Sequence, residues 1–283
     1  MIGALLKKKG KRGQQSYAES VIPILLIIIL AVFIAAKFGY LDLSSMPLVG
    51  GLFPPSYIRI AVVGSPSPQL QSYLSSEQYR LAGVSYAVPI NQLAVYPGVL
   101  KNFDIIILQN SRVCDRTARM EIANAVKSGK KLIVIGDACT AVTEDPTAVG
   151  WDVGIGLIGD VMPVTYSGNL FHERSGQTLV TIRQGKFQII DQESPVFNGI
   201  VNHGVFEDTY VNVFPKPNSQ VLALVEEFGG KPTAGTTYAI IESKGMFTAG
   251  KVIYFSFDPS TASPTGQYHL FLNTLLYLKG AKG

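Results

Sequence analysis

Three short segments of the sequence are apolar almost without interruption. They are residues 58–63 (IRIAVV), 104–108 (DIIIL) and 131–135 (KLIVI), and a glycine or a glutamine follows each of them. Strands that are covered on both faces of a sheet carry apolar side chains at successive positions, whereas half-exposed strands alternate. The segments therefore predict strands of a mostly parallel sheet with helices on both of its faces.

Segments with helical periodicity separate these strands. Residues 69–81 predict a helix before a strand at residues 84–90, and residues 263–278 predict a closing helix. A further helix, residues 115–127, ends before Gly129, because glycine commonly terminates helices. Its apolar residues recur at helical spacing: Ala118, Ile122, Ala125 and Val126. This order is typical of strand-helix-strand crossovers and predicts the α/β class.

The sequence becomes richer in strand patterns after Trp151. Residues 178–190 (TLVTIRQGKFQII) predict a hairpin that turns at Gln184-Gly185. Three further strands are predicted at residues 221–225, 238–241 and 251–257. Since no change of composition marks a boundary, we expect residues 57–283 to form one α/β domain with a β-rich insertion.

The N-terminal part of the chain has a different pattern. Residues 20–36 (SVIPILLIIILAVFIAA) are seventeen positions without a charge and are apolar on every face. At 1.5 Å per residue they extend roughly 26 Å, close to the hydrocarbon thickness of a bilayer. We expect one transmembrane helix over residues 21–40, followed by a linker over residues 41–56 whose prolines and glycines prevent a continuous helix.

Charge predicts the orientation of this helix. Five basic residues precede it, namely Lys7, Lys8, Lys9, Lys11 and Arg12. Because basic residues beside a span resist translocation, residues 1–20 are expected in the cytoplasm and residues 57–283 outside it. The bilayer is thus the first expected partner, and the localisation is a single-pass cell-membrane protein.

Three fates remain open for the segment. It can be retained as a signal anchor, or it can be cleaved after Ala36, although Ile34 departs from the small residues that such sites prefer. It can also be cleaved before the apolar run, because residues 9–14 resemble a prepilin leader. In that case Glu19 is the sixth residue after Gly13, where such leaders usually place an acid at the fifth.

Net charge changes once the anchor is set aside. The formal charge of +4 arises in the anchor region, since six of the 24 basic residues lie at or before Lys37 with only Glu19 opposing them. The remainder has 18 basic and 19 acidic residues and is nearly neutral. Nucleic acid is excluded as an expected partner, because phosphate binding needs an excess of basic charge on one surface.

The order of these elements resembles the class I glutamine amidotransferase-like superfamily. The resemblance rests on DIIIL, on SGKKLIVIGD at residues 128–137, on SPVFNG at residues 194–199 and on GKVIYFSFDP at residues 250–259. It implies a flavodoxin-like sheet that binds ligands at the carboxyl ends of its strands. On this basis Asp137, Cys139 and Asp258 are the candidate binding residues.

The resemblance also implies catalytic residues, and the sequence departs from them. Active members present a cysteine on a Gly-x-Cys-x-Gly turn, but here Ala138 occupies that position and Cys139 follows it. Where the family has His-x-Glu, this chain has Asp258-Pro259-Ser260. Cys139 is therefore only a weak catalytic candidate, and we expect a degenerate domain.

The two cysteines have a simpler use. Cys114 lies five residues after Gln109 and Cys139 three after Gly136, so that both follow neighbouring predicted strands. Outside the cytoplasm two thiols at the same sheet edge are expected to oxidise, which predicts a disulfide between Cys114 and Cys139. The alternative is two unrelated free or buried cysteines.

Other candidate chemistry is weak. His172, His203 and His269 have no metal-ligand spacing, and Gly154-x-Gly156-x-x-Gly159 does not lie between a first strand and its helix, so that no metal and no cofactor is predicted. Glu144 and Asp145 could join Asp137 and Asp258 in an acidic pocket, although solvated acids on loops are the simpler interpretation.

The sequence thus predicts a membrane-anchored, extracytoplasmic binding or scaffold protein without catalytic activity. Its partner would be another membrane or cell-envelope protein, or a small ligand. A thiol-dependent amide or glycan hydrolase that uses Cys139 and a pilin-like assembly subunit are the alternatives.

Overall fold

Strands and helices alternate in the computed structural model, which describes residues 23, 26–32, 57–86, 88–153, 158–168, 178–200, 205–227, 237–244, 250–260 and 267–280. The strands are β1 (Ile58–Gly64), β2 (Val84–Tyr86), β3 (Ile105–Gln109), β4 (Val113–Cys114), β5 (Lys131–Ile135), β6 (Ala141–Val142), β7 (Asp145–Val149), β8 (Val164–Tyr166), β9 (Leu179–Ile189), β10 (Val205–Val211), β11 (Val213–Pro215), β12 (Ser219–Glu227), β13 (Thr237–Ser243) and β14 (Val252–Phe255). The helices of residues 57–280 are α1 (Pro68–Ser75), α2 (Glu77–Leu81), α3 (Arg116–Lys127) and α4 (Gln267–Lys279).

One nine-stranded sheet has the order β10-β9-β12-β13-β14-β5-β3-β1-β2. Its five strands from β2 to β14 are mutually parallel, and β13, β12, β9 and β10 continue it in antiparallel pairing. The predicted α/β class with a large, mostly parallel sheet is confirmed. The β-rich part extends the same sheet, whereas β8 with β11, and β4 with β6 and β7, form two small sheets.

Both faces of the parallel strands are buried. Along β3, Ile105 and Ile107 belong to one core, and Ile106 and Leu108 belong to the other. Helices α1, α2 and α4 contribute to the first core, while α3 contributes to the second. This two-sided burial explains why the strand sequences are continuously apolar.

Most predicted elements of the parallel half agree with the structure. The strand at residues 131–135 has the predicted bounds, and α3 begins directly after Asp115, whose carboxylate accepts a hydrogen bond from the Ala118 backbone N–H at 2.7 Å. The helix predicted at residues 69–81 is divided into α1 and α2. Ser76 has an extended ψ of 151° at the break, and its hydroxyl accepts from the Tyr79 N–H.

The predicted hairpin at residues 178–190 is wrong. These residues form the single strand β9, which pairs with β10 on one side and with β12 on the other. Gly185 is buried within the strand, and a Cβ there would lie 2.6 Å from Ile182 Cγ2 and 2.9 Å from Val225 Cγ1. The glycine thus permits close packing instead of forming a turn.

The chain divides after Ser56 into two units, residues 1–56 and residues 57–283. Residue 23 and residues 26–32 are helical, but the rest of the predicted span at residues 21–40 and the predicted linker lie outside the described residues. Among the residues that are described, no helix combines the length and the apolar character needed to cross a membrane.

Candidate functional site

The carboxyl ends of the parallel strands form one edge of the sheet. Segments that follow β1, β3, β5 and β14 lie at this edge, which is where open α/β sheets bind ligands. Asn110 and Cys139 lie there with left-handed φ angles of 49° and 56°. Non-glycine residues adopt this conformation at a cost, and they concentrate at functional sites.

Glycine is required where β1 ends. Gly64 has a φ of 107°, and a Cβ there would lie 2.2 Å from the Gln109 carbonyl oxygen and 2.6 Å from Ser111 Cβ. A side chain at this position would therefore force β1 and β3 apart. The glycine brings the loop after β1 against the end of β3.

A group of buried and half-buried polar side chains, which we call the edge network, joins three strand ends. It consists of Ser67, Gln109, Asp258 and Ser260. The Gln109 amide donates to Asp258 Oδ2 at 2.6 Å and to Ser67 Oγ at 3.2 Å, and its carbonyl accepts from the Ser67 N–H at 3.0 Å. Ser260 donates its hydroxyl to Asp258 Oδ1 at 2.6 Å, and the two serine hydroxyls are 2.9 Å apart.

Three of the four residues of the edge network are buried, whereas Asp258 is half-buried. Gln109 is 1% exposed, Ser260 is 4% exposed and Ser67 is 8% exposed. Each of these hydroxyl and amide groups is hydrogen-bonded within the network. The network can therefore align the loops, but it presents no free nucleophile. Buried polar groups that are fully bonded in this way favour one arrangement of the chain.

The loop after β5 contains the other predicted residues. Cys139 and Cys114 are 0% exposed, their Cα atoms are 5.0 Å apart and their sulfurs lie within bonding distance. This geometry is compatible with the predicted disulfide. Asp137 forms a partly exposed ion pair with Arg112, at 3.5 Å between Oδ2 and Nε.

Trp151 packs beneath this loop. Its indole N–H donates to the Ala138 carbonyl at 2.8 Å, and its ring meets those of Tyr166 and Tyr254 edge to face at centroid distances of 5.8 and 5.5 Å. Burial raises the pKa of both tyrosines, and the nearby Asp137 carboxylate raises it further. Both phenols therefore stay neutral at physiological pH.

The four acids of the possible acidic pocket have different partners. Asp137 and Asp258 both lie at the carboxyl edge but have the separate partners described above. Glu144 accepts from the Arg116 backbone N–H at 3.0 and 3.2 Å, which satisfies a donor at the start of α3. Asp145 accepts from the Thr147 hydroxyl at 2.6 Å, and this bond lowers the pKa of its carboxyl.

Most of the histidines and glycines considered for metal or phosphate binding lie outside the described residues. His172, His203, Gly154 and Gly156 lie outside the described residues, and His269 is exposed on α4. Over the ranges that the structure describes, no cluster of acids, histidines or cysteines could hold a metal ion.

Sequence reasoning missed the partners of Asp258. Gln109 ends an apolar run, and a polar residue at that place is a usable signal, but Ser67 and Ser260 are ordinary loop serines. Their role depends on contacts between residues that are far apart in the sequence. Gln109 and Asp258 are separated by 149 positions, and the two serines by 193. Such pairs are invisible to local patterns.

Comparison with known proteins bears on the fold. No family model and no curated protein matches the chain. The Salmonella typhimurium cytoplasmic protein STM3548 is similar in structure, with 17% identity, a TM-score of 0.54 and coverage of 78% of this chain and 98% of that one. A Bacteroides uniformis protein described as ThuA-like has 11% identity, a TM-score of 0.55 and coverage of 80% and 93%.

A β-galactosidase from Bacillus circulans is similar over part of its length. The identity is 14%, the TM-score is 0.53, and 82% of this chain corresponds to 32% of the enzyme. At identities this low the similarities show a shared fold alone.

Proposed function

We propose that this chain is a membrane-anchored, extracytoplasmic binding or scaffold protein whose amidotransferase-like domain has no catalytic activity. The observation that carries the proposal is the state of Cys139. Its sulfur is paired with Cys114, and the side chain is 0% exposed. A thiol hydrolase needs an accessible thiolate, and this sulfur is neither accessible nor free.

The edge network supports the same proposal. At the position where active relatives of the resembled family have a catalytic histidine and acid, Asp258 and Ser260 bond to Gln109 and Ser67. Among the described residues, the Ser260 hydroxyl bonds to the Asp258 carboxylate and the Ser67 hydroxyl, and not to a histidine of the kind that activates a catalytic serine. The similarity to the ThuA-like structure supports the amidotransferase-like assignment of the fold.

The same edge offers a binding surface. Asp137 and Arg112 remain partly exposed, at 37% and 60% of their side chains, beside the left-handed residues Asn110 and Cys139. A small polar ligand or a loop of a cell-envelope protein could pair with both charges. This assigns Asp137 a recognition role and Asp258 a supporting one.

Two single variants test the absence of thiol catalysis. Hydrolysis of glutamine and of peptide amides is measured for the purified full-length chain and for Cys139→Ala and Cys114→Ala. We expect no activity above that of buffer in any of the three. Activity that Cys139→Ala abolishes and Cys114→Ala preserves would establish a thiol hydrolase and refute the proposal.

Labelling in intact cells tests the location. Cysteines introduced at exposed Lys101, within residues 57–283, and at Gln14, within residues 1–20, are treated with a membrane-impermeant maleimide. We expect Lys101→Cys to react in intact cells and Gln14→Cys to react only after lysis. The reverse pattern would overturn the proposed orientation, and reaction of both sites only after lysis would overturn the extracytoplasmic location.

A further inference from the structure

Basic residues collect at the amino ends of the parallel strands, on the edge of the sheet opposite the candidate site. The register aligns Ile105 of β3 with Lys131 of β5, and Leu132 of β5 with Val252 of β14, so these strands begin side by side. We call the surface at these strand ends the amino face. Its charged residues are the basic Arg59, Arg80, Lys101, Lys130, Lys131, Lys251 and Lys279 and the acidic Glu77, Asp104 and Glu242.

The cations of the amino face lie close together. Arg59 pairs with Asp104, at 3.0 Å between Nη2 and Oδ1, and Lys130 is near enough to attract the same carboxylate. Burial and the neighbouring charge of Lys251 lower the pKa of Lys131. Each of the three acids has a basic partner, so the pairs leave the face with an excess of positive charge.

Two large apolar side chains are exposed on the same face. Tyr57 is 52% exposed and Leu81 is 79% exposed. The Ile58 N–H donates to the Gly83 carbonyl at 2.7 Å, which brings the start of β1 beside the end of α2. Tyrosine and aliphatic side chains among basic residues are typical of surfaces that bind the headgroup region of a bilayer.

We propose that the amino face docks on the anionic lipid headgroups of the bilayer in which the chain is anchored. Tyr57 is the first residue of the unit that contains the sheet, so the preceding linker joins the domain at this face. Each basic residue near an anionic surface strengthens the attraction about fivefold. The inference rests on the proposed membrane anchor and assigns the domain a second, non-covalent attachment.

A lipid surface fits the amino face better than a soluble polyanion does. The basic residues are spread over the ends of several strands about 4.8 Å apart and do not converge on one pocket. The exposed tyrosine and leucine also gain from contact with lipid, whereas a soluble polyanion leaves them in water. Docking on this face would direct the opposite edge, with Asp137 and Arg112, away from the bilayer and toward an extracytoplasmic partner.

Energy transfer in lipid nanodiscs tests the docking of the full-length chain. A donor is attached at Asn102→Cys, on the amino face, or at Gln69→Cys, at the start of α1 on the opposite edge, and the acceptor is attached to lipid headgroups. Both positions are exposed, and the native cysteines are paired. In phosphatidylglycerol discs, transfer from position 102 is expected to exceed transfer from position 69. It is expected to fall in phosphatidylcholine discs and at about 0.5 M salt, because salt screens the attraction.

Two double variants provide the matched control. Lys101→Gln/Lys130→Gln removes two charges from the amino face and is expected to weaken docking about 30-fold, since each charge contributes about fivefold. Arg116→Gln/Lys186→Gln removes two exposed charges elsewhere on the domain and is expected to change docking by less than about twofold.

The outcomes separate the docking from the anchor. Equal transfer from position 102 in the two lipids would overturn the docking but leave the anchor in place, as would an equal loss in the two double variants. Greater transfer from position 69 than from position 102 would overturn the assignment to the amino face. A chain that elutes apart from the discs in size-exclusion chromatography would overturn the proposed anchor and this inference with it.

Discussion

Loss of the Cys114–Cys139 pair is expected to destabilise this chain by several kcal/mol. The two residues are 25 positions apart. For a loop of that size, the loop-entropy relation gives about 3.5 kcal/mol of stabilisation. At about 2–4 °C per kcal/mol for a domain of this length, reduction or the Cys114→Ala/Cys139→Ala variant should lower the Tm by about 7–14 °C.

Variants at position 139 separate the loss of the disulfide from the backbone cost of the left-handed conformation there. Cys139 has a φ of 56°, a conformation that penalises any residue with a Cβ atom. Cys114→Ala/Cys139→Gly should therefore be more stable than Cys114→Ala/Cys139→Ala by about 1 kcal/mol. The difference isolates the backbone cost that the sulfur link sustains in the wild type.

Urea unfolding followed by Trp151 fluorescence measures these free energies, because the indole is bonded to the residue before Cys139. Thiol titration of the denatured, unreduced chain should find no free thiols, and titration after reduction should find two. Two free thiols without reductant, or an alanine double variant within about 1 kcal/mol of the wild type, would refute the reasoning. Reduced wild-type protein is the control, since it breaks the bond without deleting a side chain.

Two further predictions concern polar groups elsewhere. Asp258→Ala should destabilise the chain by about 1–3 kcal/mol in urea unfolding, because it removes one of the two acceptors of the buried Gln109 amide. Asp160→Ala, which breaks the exposed ion pair of Asp160 with Lys127, should cost under about 1 kcal/mol, and equal losses would contradict a special role for the edge network. Burial raises the pKa of Asp104, but its hydrogen bonds to Arg59 outweigh burial and lower it overall. The resulting stabilisation is present above the unfolded pKa of about 3.9 and is lost as pH falls through the lower folded value. The slope of stability against pH should therefore differ between the wild type and Asp104→Asn only in that range, while the stabilisation from the ionised carboxylate persists at higher pH. Identical acid limbs would contradict this.

Local patterns predicted the parallel half of the fold well. Segments such as residues 131–135 are apolar on both faces, and such a sequence is typical of a strand that is buried on both faces of a sheet. The hairpin predicted at residues 178–190 does not form, because Gly185 lies within a continuous strand and not in a turn. Its real constraint is the closeness of Ile182 and Val225, a tertiary contact that no local pattern contains.

In the candidate site, too, the sequence predicts some features and not others. The positions of Asp137 and Asp258 at the carboxyl edge follow from strand ends, which local sequence reveals. The partners do not follow, because Gln109 reaches Asp258 only after the sheet has assembled. Arg119 on α3 shows the limit most clearly, because a charged residue on an amphipathic helix is expected to face solvent, whereas this side chain is fully buried and donates to the Gly150 and Trp151 carbonyls.

The position of β14 in the sheet has a consequence for folding during synthesis. This strand, residues Val252–Phe255, links β5 to the four antiparallel strands, although every other described strand of the sheet precedes it in the sequence. Until it emerges, the apolar strand β5 has an unpaired edge, and the two halves of the sheet have no common strand. Folding of this domain therefore cannot be completed until β14 has been synthesised, and a nascent chain that stops short of β14 would expose an edge prone to aggregation.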